Sequence, residues 1–341
     1  MIVHARAPLR LGIAGGGSDV SPYSDQFGGL IVNATIDKYA YVELREHPEG
    51  KITFRSTDFG FSETDSVESA FSKNSGMPLH SAVYRKIVDE FNGGKPIPIE
   101  ITTYSDAPVG SGLGASSTLV VAMIKAFDSY LDLSLSKQQI AEMAYKIERL
   151  DCGLAGGRQD QFSAAFGGFN YLEFDSRGSK VTPINISSDI IKELESSLLL
   201  YYTGVSRSSA TIIAEQSQNL VSSNQTAIEA MHIVKSEASS MRQYLENGNL
   251  SGIVQSMKRG WEFKKATSAA VSSQLIDETY VSAIDAGALA GKVSGAGGGG
   301  FMWFYVPINS RAAVISALSK FDGIVGNCHF TNEGATAWKV N

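Results

Sequence analysis

The length, composition and charge of the chain exclude several classes of protein. With 341 residues, 43% of them hydrophobic, it is long enough for more than one core, and we predict two domains. Its net charge of -6 comes with lysines and arginines that are scattered singly, apart from the pair Lys264 and Lys265. It therefore lacks the basic patch that nucleic-acid binding needs.

The cysteines and the hydrophobic pattern point to a cellular compartment. Cys152 and Cys328 are far apart and have no neighbouring metal ligands, which argues against a disulfide framework or a structural zinc site. No apolar h-region begins the chain, and no uncharged apolar stretch is long enough to span a bilayer. We expect a soluble cytoplasmic protein without a membrane partner.

Hydrophobic periodicity predicts an α+β fold in the first half of the chain. A turn near residues 175–178 and the polar stretch after it indicate a boundary between residues 175 and 188. We therefore predict one domain over residues 1–180 and a second over 181–341. The predicted strands of the first half lie at residues 1–7, 9–14, 29–34, 39–45, 51–56, 98–104 and 169–174, and its helices at 79–91, 118–131 and 137–150.

The second half has a different pattern, in which a buried strand precedes a run of helices. Strand, helix and strand then close the chain. The predicted strands lie at residues 197–203, 301–306 and 323–330, and the helices at 210–222, 226–247, 250–267, 273–290 and 310–321.

A glycine-rich turn at residues 108–117 joins a predicted strand to a long apolar helix, which is the order that a nucleotide-phosphate site needs. Alternate glycines let backbone N–H groups approach an anion, and the helix directs its positive dipole end to the same place. The run is not a Walker A loop, because no lysine follows before Lys125. The residues predicted to bind the phosphates are Gly110, Ser111, Gly112, Leu113, Gly114, Ala115, Ser116 and Ser117.

A second glycine cluster at residues 295–300 matches the spacing G-x-G-x-x-G, but its context is wrong for a dinucleotide site. A Rossmann fingerprint follows a strand and opens a helix. Here a predicted helix precedes the cluster and an aromatic strand follows it.

Three segments, residues 8–19, 108–117 and 292–300, together resemble the three motifs of the GHMP small-molecule kinases. The middle one, P-x-x-x-G-L-G-x-S-S, is the most specific, and the resemblance covers almost the whole chain. It implies ATP-dependent phosphoryl transfer on a two-domain fold. The N-terminal domain would resemble domain 2 of ribosomal protein S5, and the C-terminal domain would be ferredoxin-like.

The resemblance also implies catalytic roles. Asp160 matches the catalytic aspartate of the sugar-kinase branch, and Arg10 matches the arginine that contacts the transferring phosphate. Glu148 and Ser116 match the family's Mg²⁺ ligands, which would make Mg²⁺ and ATP the cofactors. From the residues alone, Glu148 is also a surface charge beside Arg149, and Ser116 a helix cap.

The acceptor side is implied by the first and third motifs. Asp19 matches the residue that accepts hydrogen bonds from sugar hydroxyls, although N-capping is an alternative. The segment Y-T-G-x-x-R places Arg207 near the acceptor, as in the fucokinase and heptose kinase branch. For a phosphate on the sugar itself the candidates are Arg207, Arg158 and Lys38. The residues predicted to bind the sugar are Gly17, Ser18, Asp19, Arg207, Gly297 and Gly298.

The G-G-G-S-D of the first motif departs from the galactokinase pattern and resembles the heptose phosphate kinase branch. That likeness implies phosphorylation of the anomeric hydroxyl of a heptose 7-phosphate, giving a 1,7-bisphosphate for surface polysaccharide. The expected partners are thus a sugar phosphate and ATP, and a homodimer is left open. The alternatives are another anomeric sugar kinase such as an L-fucokinase, a catalytically silent sensor of sugars or nucleotides, and a decarboxylase of the mevalonate branch.

Overall fold

The computed structural model describes residues 1–72, 75–205 and 209–340, and within these ranges the strands form two separate sheets. The α+β class predicted from the sequence is confirmed. The strands, numbered in chain order, are β1 (Ile2–Ala14), β2 (Gly29–Glu46), β3 (Lys51–Ser56), β4 (Phe61–Ser66), β5 (Ile99–Ser105), β6 (Phe169–Asp175), β7 (Gly178–Pro183), β8 (Leu198–Tyr202), β9 (Ala290–Val293), β10 (Phe301–Tyr305), β11 (Ile324–Gly326) and β12 (Thr336–Val340).

The helices divide between the two sheets. A π-helix (Lys146–Asp151) continues α5, and short 3₁₀ turns lie at Ala269–Val271 and Ile308–Ser310. The α-helices are α1 (Tyr23–Phe27), α2 (Val67–Ser72), α3 (Pro78–Phe91), α4 (Ala115–Tyr130), α5 (Lys137–Tyr145), α6 (Gln159–Phe166), α7 (Ser188–Ser197), α8 (Ser209–Val221), α9 (Gln225–Glu246), α10 (Leu250–Ala266), α11 (Gln274–Asp285) and α12 (Arg311–Leu318).

The first sheet is organised around the long strand β2. The order is β12-β1-β2-β5-β3-β4, and β6 and then β7 extend it from the first half of β2. β2 pairs with β1 along most of its length, with register shifts between Pro8 and Arg10 and between Gly12 and Ala14. Such irregularities bend a strand and redirect its side chains, and Arg10 lies at one of them.

One face of this sheet is covered by α3, α4 and α6. The core there contains Val120, Met123 and Phe127 of α4 and the sheet residues Leu44 and Ile101, all buried. A helix that is apolar on nearly every side is buried in the interior, which explains why α4 was predictable from its sequence. Its N-terminus is held rigidly at the edge of this core.

The second sheet, in the order β11-β8-β10-β9, is antiparallel throughout. A core of its own contains Tyr201, Phe304 and Val314. Another cluster joins the two sheets, because Leu11 of β1 packs in it with Met241 of α9 and Trp303 of β10. The second half of β1 is therefore buried between the two halves of the molecule.

Several elements differ from the sequence prediction. The two strands predicted before and after Pro8 are one strand, β1, and those at 29–34 and 39–45 are both parts of β2. Between the predicted helix at 137–150 and the predicted strand at 169–174, the structure has a further helix, α6, which begins at Gln159. The predicted helix at 273–290 ends at Asp285, and β9 follows it. Elements that the pattern did not predict are α1, α2, β4, β7, α7 and β12.

The end of the chain returns to the first sheet. β12 pairs antiparallel with β1, from Ile2 opposite Val340 to Arg6 opposite Thr336. The sheet that begins the chain is therefore completed by its last strand. The division at residue 180 stays a prediction.

Candidate active site

A cleft of about 390 Å³ lies where the first sheet, its helices and the second half of the chain meet. Its lining includes the glycine loop and Glu148, and also Asp19, Gln216 and Lys264. Arg10 and Asp160 also line it. The cleft thus collects residues from all three sequence motifs.

The glycine loop has the backbone that the sequence predicts. Gly110, Gly112 and Gly114 have φ values of 79°, 80° and 80°, a region that favours glycine. Gly114 is the N-cap of α4, and no side chain caps the helix there. The first N–H groups of α4 are therefore available to an anion, as a phosphate site requires.

The side chains of this loop do not all face the cleft. Gly110, Gly112, Gly114, Ala115, Ser116 and Ser117 line it. Leu113 is fully buried in the core, and its carbonyl accepts a hydrogen bond from the N–H of Arg10 at 3.1 Å. Ser111 is also buried, and its carbonyl accepts the N–H of Phe301 at 2.8 Å. These two backbone hydrogen bonds attach the loop to β1 and β10.

The second glycine cluster supports the first by direct backbone contact. A Cβ atom at Gly112 would collide with the carbonyl oxygen of Ser294, and one at Gly300 would collide with that of Ser111. Gly295 and Ala296 line the cleft. The close approach of two backbones explains why glycine is needed in both clusters.

Gly297 and Gly298, which were predicted to bind substrate, are not part of the cleft lining. A Cβ at Gly297 would collide with the carbonyl of Val271, and the N–H of Gly298 donates to that same oxygen at 2.8 Å. Gly298 lines a separate depression beside Gln274. Their positions indicate a role in joining this cluster to the 3₁₀ turn at Ala269–Val271.

The buried Arg10 and the partly buried Asp160 form an ion pair in the lining of the cleft. Nε and Nη2 of Arg10 lie 2.7 and 2.6 Å from Oδ1 of Asp160. Nη1 donates to the carbonyl of Gly112 at 2.5 Å and to Oγ of Ser294 at 3.3 Å. Arg10 is 3% exposed, and its guanidinium is held by contacts with the second and third motifs and with Asp160. Asp160 lies in the first turn of α6, next to the glycine loop.

Glu148 lies in the π-helix and is buried against the start of α4. Its Oε1 accepts a hydrogen bond from Oγ of Ser116 at 2.8 Å, and its Oε2 accepts one from Oγ of Ser117 at 2.6 Å. Gln161 donates to Oε2 at 2.7 Å, and Nη1 of Arg149 lies 3.3 Å from Oε1. A side chain that is 2% exposed is not a surface charge, so that alternative is wrong.

The chemistry of this cluster fits Mg²⁺ in part. Within the described ranges, no group of three or more His, Cys, Asp and Glu side chains is arranged to hold a metal ion. The carboxylate of Glu148 and the hydroxyl of Ser116 are hard oxygen donors, and Mg²⁺ accepts one or two protein oxygens when substrate phosphates supply others. The residues present therefore fit an ion that arrives with a nucleotide.

Asp19 caps a helix that is remote in sequence. Its Oδ2 accepts the N–H groups of Arg158 and Gln159 at 2.9 and 3.0 Å, at the start of α6. A Cβ atom at Gly157 would collide with this carboxylate. Asp19 also lines the cleft beside Gly17. Asp19 therefore does not cap the helix that follows it, which was the alternative, but holds the start of α6, the helix that carries Asp160.

Ser18 differs from the predicted sugar contact. Its side chain is fully buried, and its Oγ donates to the carbonyls of Gly15 and Leu30 and accepts the N–H of Leu30. These bonds close the loop after β1. Ser18 therefore stabilises the loop that carries Asp19 and is not part of the cleft lining.

The candidates for the sugar's own phosphate lie in different places. Nη1 of Arg158 donates to the carbonyls of Asp175 and Gly178, away from the cleft lining. Lys38 lies on β2 near Cys328 and is not part of the lining either. Arg207 lies outside the described residues.

Two lysines whose ammonium groups contact the first motif, residues 8–19, were not predicted as site residues. Nζ of Lys264, on α10, donates to the carbonyl of Gly16 at 2.7 Å, and Nζ of Lys292, on β9, donates to that of Ile13 at 3.1 Å. Burial lowers the pKa of Lys264 to about 8, although the charge of Asp19 opposes the shift. Burial, followed by the charges of Lys264 and Arg10, lowers the pKa of Lys292 to about 7. In the sequence, nothing distinguishes Lys264 from a surface lysine, and Lys292 is only the first residue of the third motif.

Comparisons with known proteins identify the family of the chain. The family described as GHMP kinases N terminal domain matches residues 79–168, and the family described as GHMP kinases C terminal matches residues 241–322. The D-glycero-alpha-D-manno-heptose 7-phosphate kinase of Campylobacter jejuni is 41% identical over 99% of both chains. The L-fucokinase/L-fucose-1-P guanylyltransferase of Bacteroides fragilis is 27% identical over 92% of this chain and 35% of its own length.

A solved structure also matches the chain along nearly its whole length. A crystal structure described as a D-glycero-D-manno-heptose 1-phosphate kinase from Bacteroides thetaiotaomicron shares 41% identity over 99% of both chains, with a TM-score of 0.84. Across the part of the chain that the structure describes, none of the helices combines the length and the apolar character needed to cross a membrane.

Proposed function

The chain belongs to the GHMP kinases, which are ATP-dependent phosphotransferases, and we propose that its acceptor is the anomeric hydroxyl of D-glycero-D-manno-heptose 7-phosphate. The product would be the 1,7-bisphosphate, a precursor of GDP-activated heptose for surface polysaccharide. The observation that carries the proposal is the position of Asp160. It lies beside Gly114, where the phosphate loop meets the start of α4, and it is paired with Arg10.

The donor end of the cleft suits the phosphates of ATP. The N–H groups at the start of α4 and the backbone of the loop from Gly110 to Gly114 would bind them. Ser116 and Glu148 would hold Mg²⁺ together with the phosphate oxygens. When bound, the ion neutralises phosphate charge.

Asp160 and Arg10 have complementary tasks in this reaction. Oδ1 of Asp160 is bound to Arg10, which leaves Oδ2 to accept the proton of the sugar's C1 hydroxyl. The C1 oxygen then bonds to the γ-phosphorus of ATP, and the bond from that phosphorus to the bridging oxygen of ADP breaks. Arg10 stays positive throughout and stabilises the charge that develops on the transferring group.

Asp19 and Gly17 define the acceptor end. The carboxylate of Asp19 already accepts backbone N–H groups, but a carboxylate has about four acceptor sites. The remaining one suits a hydroxyl of a sugar. We also infer that the enzyme acts in the cytoplasm, where ATP is available and where its thiols, Cys152 and Cys328, stay unpaired.

The names of the relatives differ in the acceptor sugar and in its phosphate. The experiment therefore compares these acceptors. The Campylobacter protein is named for heptose 7-phosphate, the Bacteroides structure for heptose 1-phosphate, and a more distant relative for L-fucose. The purified protein would be assayed with ATP and Mg²⁺ on each of these acceptors, and the product examined by ³¹P NMR.

We expect turnover of heptose 7-phosphate and a new phosphate signal coupled to the anomeric proton. Turnover of heptose 1-phosphate or of L-fucose alone would overturn the proposed acceptor. Binding of ATP and sugar without turnover of any of them would instead revive the sensor alternative.

A further inference from the structure

The acceptor end of the cleft contains a cation for which the reaction described so far has no use. Lys264 of α10 lines this end together with Gly17 and Asp19, and with Ile213 and Gln216 of α8. It is distant in sequence from the three motifs. Its side chain nevertheless reaches the first of them, at the carbonyl of Gly16.

The ammonium of Lys264 has spare hydrogen-bonding capacity. A lysine has three N–H donors, and the described contacts occupy one of them, at Gly16. Lys264 is 6% exposed, so bulk water satisfies little of the rest. Among the described residues, no carboxylate lies within the 4.0 Å of an ion pair. Two of its donors therefore have no partner among the described contacts, at a residue that lines the cleft.

The charges around Lys264 also favour an anion. Asp19 is the acidic group whose charge acts on Lys264, and it offsets one positive charge there. Lys292 is a second amine close enough to interact with Lys264, and Arg10 is already paired with Asp160. An unpaired buried charge is costly. A dianionic ligand group would remove that cost, whereas a neutral sugar hydroxyl would not.

We propose that Lys264 binds the phosphate that the acceptor sugar itself carries, and that it thereby selects a sugar phosphate over the neutral sugar. This inference rests on the proposed function, because it presumes an acceptor with its own phosphate. It assigns Lys264 to specificity and leaves the proton transfer to Asp160. A lysine suits the task as a point charge with several donors.

The test compares two acceptors in one variant. Lys264→Met keeps the length and apolar stem of the side chain and removes the ammonium. Values of kcat/KM would be measured for heptose 7-phosphate and for unphosphorylated heptose, in the wild type and in the variant. The control is Lys265→Met, on the same helix, because Lys265 is more exposed and lies 3.8 Å from Asp277. Circular dichroism and thermal unfolding would show that each variant is folded.

The ratio of the two kcat/KM values separates binding of the phosphate from support of the loop. We expect Lys264→Met to lower kcat/KM for heptose 7-phosphate by about 10- to 100-fold, as for a lost charge-assisted hydrogen bond, and to change the neutral sugar little. An equal loss for both acceptors would assign Lys264 only to holding Gly16, and an unchanged ratio without loss would also overturn the inference. If the wild type does not use heptose 7-phosphate, the proposed function itself fails, independently of this variant.

Discussion

Arg10 contacts Asp160 through a single carboxylate oxygen. Nε and Nη2 of the guanidinium both lie within 2.7 Å of Oδ1, while Nη1 is directed to Gly112 and Ser294. The pair therefore holds the carboxylate in a fixed orientation without occupying Oδ2. A base that must accept a proton needs this combination of a held side chain and a free oxygen.

Replacing Asp160 with Asn tests its assignment as the base. The amide keeps the volume but cannot accept the proton, so we expect kcat to fall by about 10²- to 10⁴-fold. Binding of a non-hydrolysable ATP analogue, measured by calorimetry, should change little. Asp151→Asn, at an exposed position beyond the site, is the matched control. A near-normal kcat in Asp160→Asn would remove Asp160 from this role.

Glu148→Gln tests the magnesium assignment. The amide retains the shape of the side chain in its contacts with Ser116, Ser117 and Gln161, but it lacks the charge that attracts a divalent cation. We expect the Mg²⁺ concentration for half-maximal activity to rise by about 10- to 100-fold. Glu142→Gln, on the exposed side of α5, should leave the titration unchanged. An unaltered Mg²⁺ dependence in Glu148→Gln would contradict the assignment.

Gly112→Ala tests whether the two glycine clusters depend on backbone contact. Gly112 has a φ of 80°, and a Cβ there would collide with the carbonyl of Ser294. Gly50 has a φ of 67° and no atom within 4 Å of a Cβ, so Gly50→Ala isolates the cost of the conformation. We expect Gly50→Ala to lower the free energy of unfolding by about 1 kcal/mol and Gly112→Ala by about 2–4 kcal/mol.

Enzyme kinetics give a second comparison of Gly112→Ala with Gly50→Ala. Gly112→Ala should raise the KM for ATP because it displaces the phosphate loop, and Gly50→Ala should not. Denaturant unfolding and initial rates would check both expectations. Equal effects of the two substitutions would mean that the contact with Ser294 adds nothing.

Resemblance of short motifs placed the central residues well, because the motifs are local in sequence. Arg10, Asp160, Glu148 and Ser116 were predicted as members of one site, and the structure brings them to one cleft. Their substrate roles remain predictions. The motif did not distinguish glycines that line the cleft, such as Gly295, from Gly297, which packs on Val271.

Features that depend on contacts between distant segments were not predictable. β12 is half exposed and has a weak pattern, and its pairing with β1 joins the two ends of the chain. Lys264 belongs to a Lys-Lys pair that looks like a solvent-exposed charge in the sequence. Its burial arises only when α10 packs against the loop that contains Gly16, 248 residues earlier.

The last prediction concerns pH and Lys292. Its pKa in the folded protein is about 7, below the ordinary value of 10.5 for lysine, because of burial and the charges of Lys264 and Arg10. Between these two values the unfolded chain binds more protons at this residue than the folded one. The contribution of Lys292 to the free energy of unfolding therefore increases as the pH rises through this window, by about 1.4 kcal/mol per pH unit.

Lys292→Met should remove this dependence. We expect the free energy of unfolding of the wild type, relative to that of the variant, to increase between pH 7 and about 10. The increase should end near the ordinary pKa of lysine. The other titrating groups remain in both proteins, so the difference between the curves reports the titration of Lys292 together with its coupling to Lys264. Urea unfolding at several pH values measures it, with the exposed Lys320→Met as control. Parallel curves for the wild type and Lys292→Met would show that Lys292 does not titrate in this range.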